Sequence, residues 1–115
     1  MSNDQAVPAD ADQATRDIGD VPAVEVVTTV AVHLMTASAI KLGLGEATDG
    51  HDPEHDKDLA EARILITALA GLVKSAVPEL GNAHAGPLRD GLKTLQEAFR
   101  EASDIPDAPC QGPGE

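Results

Sequence analysis

Side chains able to do chemistry crowd into one stretch of this chain, TDGHDPEHD, where Asp49, His51, Asp52, Glu54, His55 and Asp56 lie within eight positions. Carboxylates and imidazoles at this density are the ligand types that divalent cations take. Their order does not match a calcium loop, which needs D-x-[DN]-x-[DN]-G. His51 and His55 stand four apart, a spacing that places two imidazoles on one face of a helix. Pro53 between them opposes that helical turn. The plainer reading is a solvated acidic loop that ends in a helix cap, and no metal ligand is assigned to it.

The other candidates are scattered. His33 stands among Val, Leu and Thr and reads as a tolerated core or interface residue. His84, in GNAHAG, has no acid, Cys or Ser in a recognisable arrangement around it. Its glycines mark a turn and form neither a GxGxxG pattern nor a GKS/T ending. Ser38 and Ser75 sit in helical segments without a nucleophile elbow. Cys110, in DAPCQGPGE, has no base nearby to lower its pKa and reads as an exposed thiol. No catalytic, cofactor-binding or metal residue is assigned, and the expectation is a protein that is not an enzyme.

Composition narrows the partners. The chain has 115 residues, enough for one domain, with 20 acids against 8 bases and a net charge of −12. It has one Phe and neither Trp nor Tyr. So few bases and aromatics exclude a general phosphate-binding surface or a stacking platform, and no nucleic-acid partner is expected. No apolar run reaches the roughly 18–20 residues that span a bilayer, so no membrane partner is expected either. The first residues lack the basic and apolar regions of a secretory signal. With a lone Cys, the expected location is the cytoplasm. Residues 1–20 carry net −4 and residues 104–115 net −3. Both ends are rich in Pro, Gly or Asp without apolar periodicity and read as disordered acidic tails.

Positioning falls to three segments within residues 21–103. The first, Val21 to Leu42, has Asp20 as its cap, Lys41 in its last turn and Gly43 as its stop. Its VEVVTTVAV half is β-branched and suits a strand equally well. Length, an ordinary helical second half and the lack of a partner strand favour helix. The second, Lys57 to Val77, takes Asp56 as its cap and Pro78 as its stop. Between Leu59 and Val73, 11 of 15 residues are apolar, so this helix must be central. The third, Pro87 to Ser103, carries Leu88, Leu92, Leu95 and Phe99 as one stripe, and Gly91 permits close approach of another helix.

The stretch VVTTVAVHLMTASAIKLGLGE resembles the first helix of a bacterial family of small proteins, the domain-of-unknown-function 1844 family. An acidic loop containing Asp and Pro follows in that family, as TDGHDPEHD does here. Next comes a helix similar to DLAEARILITALAGL, in which Leu59, Ala60, Ile64 and Leu69 fit the pattern. A last Leu-rich helix ends in a Leu/Phe-Arg pair, similar to Phe99-Arg100. The resemblance covers about residues 22–102. It departs in GNAHAGPLRDG, where family members are richer in Glu and Lys. It implies a small all-α fold and carries no activity; the genomic surroundings of actinobacterial members imply a link to translation or ribosomal proteins.

The expected fold is therefore all-α: a helical hairpin plus a third amphipathic helix, completed by dimerisation. The dimer follows from counting faces. Helices one and two are apolar nearly all round, and one amphipathic helix cannot cover both. Val27, Val30, Leu34, Ile64, Leu65, Leu69 and Leu72 are the expected packing residues of a self-associating interaction module. The alternative is an acidic adaptor for a basic partner protein.

Overall fold

The computed structural model describes residues 18–47 and 50–115. It contains three long helices: α1 (Ala23–Lys41), α2 (Leu59–Leu80) and α3 (Asn82–Ala102). A single 3₁₀ turn, Pro53–Asp56, lies between the first two, and no β-strand occurs among the described residues. The all-α reading holds, and the β-branched half of the first segment is helical. Of the expected N-terminal tail, residues 1–17 lie outside the described residues, while Ile18–Asp20 form a helical turn.

Helix ends explain how the three rods are joined. At the C-terminus of α1, Gly43 adopts φ +79°. There the Leu44 amide donates to the Ala39 carbonyl and the Gly43 amide to the Ile40 carbonyl, a Schellman closure. The Asp58 amide donates to the carbonyl of Lys41 at 2.8 Å, tying the end of α1 to the start of α2. Asp58 also caps α2, its carboxylate accepting from the Glu61 amide at 3.1 Å. Arg63 near the start of α2 lies over Phe99 near the end of α3, so these two helices are antiparallel.

Four boundary expectations need correction. Pro22, not Asp20, occupies the N-cap of α1, and no side chain caps it. The cap of α2 is Asp58 rather than Asp56, because Asp56 ends the 3₁₀ turn and its carboxylate faces His51. Pro78 does not stop α2, which continues to Leu80 with the proline inside its last turn. Only one backbone bond, to the Lys74 carbonyl, is forfeited there. The reversal into α3 is made by Gly81 alone, at φ +81° and ψ 161°, a conformation open to glycine and costly for other residues. The rest of GNAHAG, from Asn82 on, is consequently helical, and α3 starts five residues before Pro87.

The core lies where the three helices meet. Ala62, Ile66, Leu69, Ala70 and Val73 of α2 recur at helical spacing and are buried. The stripe of α3 is buried as expected: Leu88, Leu92, Leu95 and Phe99, joined by Ala85. From α1 only Ala31 and Ser38 are buried, two small residues seven apart, with Leu34 and Met35 packed beside them. Ser38 satisfies its hydroxyl by donating to the Leu34 carbonyl at 2.7 Å. Gly91 does permit close approach: a methyl group there would stand 2.7 Å from the Met35 terminal carbon.

Candidate functional site

The acidic loop is built around its own hydrogen bonds. Asp52 initiates the 3₁₀ turn, its carboxylate accepting from the Glu54 amide at 3.0 Å. His51 Nε2 lies 2.7 Å from Asp56 Oδ2, both side chains being substantially exposed. His51 is therefore engaged with Asp56, and His55 is an exposed residue of the turn itself. Asp49 lies outside the described residues. Among the described residues no three His, Cys, Asp or Glu side chains converge as a metal cluster. Ser38 is buried, Ser75 exposed and His33 exposed on α1.

The more distinctive surface is the N-terminal half of α1. The helix has a mean hydropathy of 1.6 over its most apolar window, yet only 11% of that window is buried. By length and composition alone it is apolar enough to cross a membrane. The expectation that no apolar run is long enough to span a bilayer does not hold for this helix, whose length and average hydropathy suffice although Glu25, Thr28, Thr29 and His33 interrupt it. Two hollows flank this half. One, of about 250 Å³, is lined by Ile18, Val21, Val26, Thr29 and Val30. The other, of about 370 Å³, lies between Val21, Val24, Glu25, Thr28 and Thr29 of one side and His84 of α3. They share Val21 and Thr29, so they border one continuous surface.

Of the residues expected to pack, Leu69 is buried and Val27, Leu34, Leu65 and Leu72 are half-buried. Val30 and Ile64 remain exposed, at 47% and 63%. Burial does not track hydropathy here, since α1 and α2 offer apolar residues on more faces than the core can take.

A second feature escaped the sequence reading altogether. Residues 104–115, expected as a disordered acidic tail, lie across α2 and α3 as a strap. Asp107 accepts from Arg63 Nη2 at 2.6 Å, and the same guanidinium sits 5.0 Å over the Phe99 ring. Lys74 Nζ donates to the Gly114 carbonyl at 2.9 Å and Gln96 Nε2 to the Pro113 carbonyl at 3.0 Å. Pro113 is buried, and Gly114 rests on the Ala70 methyl group. Cys110 is exposed, as expected, and adopts φ +65°. Pro- and Gly-rich composition signals an absence of helix and strand here, but not an absence of docking.

A family model described as a domain of unknown function (DUF1844) matches residues 23–101, which takes in all three helices almost end to end. No curated protein and no solved structure matches the chain.

Proposed function

We propose, for a chain that belongs to the DUF1844 family, the role of a non-catalytic, self-associating interaction module of the cytoplasm. In this reading two copies pair through the N-terminal half of α1 about a twofold axis. The observation that carries it is the pairing of high hydropathy with low burial in α1. Contiguous apolar surface of this kind is uncommon on soluble monomers and marks an interaction face. A twofold axis lets one face serve both copies, since an isologous interface is complementary to itself. Val26 and Val30, one helical turn apart and both exposed, stand at its centre.

Sedimentation equilibrium tests this, with interference optics because the chain has neither Trp nor Tyr. The expected mass is twice 11.8 kDa for the native chain, and 11.8 kDa for Val30→Asp with an unchanged helical circular-dichroism spectrum. A native monomer that binds neutral lipid vesicles through α1 would replace this reading with a membrane-surface one.

The acidic-adaptor reading rests on a different observation. Asp52, Glu54, Asp56 and Asp58 crowd the exposed turn at the joint of α1 and α2, on a chain of net charge −12. A basic partner drawn to that turn, such as a ribosomal or translation protein, would bind less tightly as salt is raised.

A further inference from the structure

We propose that His33 makes the self-association of this chain sensitive to pH. Two copies of α1 pair in opposite directions, the imidazole meets the partner's His33 at the middle of the contact, and protonation drives the copies apart. The inference rests on the self-association proposed above and carries its contact along the whole of α1.

Spacing is the first argument. Val26, Val30, His33, Ala37 and Ile40 recur at intervals of 4, 3, 4 and 3. That is the repeat of a seam along which one helix packs on another. Val26, Val30, His33 and Ile40 are exposed and Ala37 is half-buried, while the core side of α1 is held by Ala31 and Ser38. His33 is the middle residue of this seam and its one ionisable group. Charge then selects the direction of pairing. Glu25 lies in the first turn of α1 and Lys41 in its last, each eight positions from His33. A parallel pair would set the two Glu25 ends side by side. An antiparallel pair about a twofold axis sets the Glu25 end of each helix beside the Lys41 end of the other. Because His33 lies midway, that pairing brings the two imidazoles level and sets Val26 level with the partner's Ile40. An anionic lipid surface is the poorer occupant, since it repels a chain of net charge −12.

Burial and like charge then act together. Both disfavour an imidazolium pair in the contact, and separation returns each His33 to water. Each copy therefore binds one more proton when apart, so falling pH favours separation. The dissociation constant rises by up to about a hundredfold per pH unit within the range, about pH 5 to 8, in which imidazole changes charge. Other charged groups border α1 away from His33. On the α3 face that meets α1 through Gly91, His84 lines the hollow beside Glu25. Glu54, Lys57 and Asp58 lie at the C-terminal end of α1. Among the described residues none of these is ion-paired to His33. Acid acts on the charge of the whole molecule in the other direction. Protonating the four histidines takes up to four charges off the net −12 and eases repulsion between copies. General electrostatics alone thus tightens association in mild acid, whereas a pair of imidazoles inside the contact loosens it.

Sedimentation equilibrium of the full chain at pH 8 and pH 5.5, in about 0.15 M sodium chloride, tests this. The dissociation constant of the native dimer should be at least about tenfold larger at pH 5.5, with an unchanged helical circular-dichroism spectrum. His33→Leu should associate no less tightly in acid, and His84→Asn should respond as the native chain does. A native dimer as tight at pH 5.5 as at pH 8 overturns the inference and leaves self-association standing. A native chain that is monomeric at pH 8 overturns both. Loosening that persists in His33→Leu, or that accompanies loss of the helical spectrum, places the response elsewhere and overturns the inference as well. If His33→Leu aggregates, His33→Gln takes its place with the same expected insensitivity to acid.

Discussion

Ile64 and Ile66 stand two positions apart on α2 and meet opposite surroundings: Ile66 is fully buried and Ile64 is 63% exposed. A two-residue step turns the helix by more than half a circle, which carries the side chain from core to solvent. The consequence is a sharp contrast in the folded monomer. Ile66→Ala removes a buried branch and leaves a cavity that the rigid surroundings fill only in part, so it should cost about 2–5 kcal/mol. Ile64→Ala removes area already in water and should change monomer stability by no more than about 0.5 kcal/mol. Urea denaturation followed at 222 nm distinguishes the two. Equal losses at both positions would mean that Ile64 is also covered, by a second copy or another element. Gly91 offers a finer case. Replacing it with Ala should gain up to about 1 kcal/mol of helix propensity. The new methyl group presses on the flexible end of Met35, which can move aside, so the net change should be small. Gly91→Val leaves less room for that adjustment and should lower the urea midpoint.

At the scale of elements, caps decide where a helix begins. Two aspartates, Asp56 and Asp58, precede α2, and only Asp58 holds the Glu61 amide. Asp58→Ala leaves that amide without its partner and should cost about 1 kcal/mol. Asp56→Ala loosens only the exposed contact with His51 and should leave the thermal midpoint nearly unchanged. The reverse ranking would return the start of α2 to Asp56. This pair shows what could be read in the chain beforehand. The existence and order of the helices were legible, because α3 has a clean stripe and α2 is too apolar to be anything but central. The buried face of α1 was not, since a helix apolar on every side has no periodicity to betray it. Its buried seam is chosen by size, through Ala31 and Ser38, where another helix comes close. The start of α3 was misread because Gly and Asn in GNAHAG suggest a loop, whereas one residue, Gly81, makes the whole reversal. The strap was invisible for a different reason. Its bonds join residues 44, 40 and 17 positions apart and follow no local pattern.

For the molecule as a whole, apolar surface and net charge act in opposite directions. In the proposed dimer, two copies meeting through α1 would bury apolar area, and each would bring a charge of −12 that repels the other. Salt screens that repulsion over a distance of about 10 Å at 0.1 M and about 3 Å at 1 M. The burial term does not depend on charge and persists under the same change. Self-association should therefore tighten as sodium chloride rises, and the dimer fraction at fixed concentration should increase. Capture of a basic partner by the acidic turn would show the opposite slope, because screening weakens attraction between unlike charges. Sedimentation velocity from low to high salt separates the two within one protein. A dimer that dissociates on adding salt would place the contact in ion pairs rather than on Val26 and Val30. In that event Val30→Asp should leave association intact, and charge reversal at the acidic turn should abolish it.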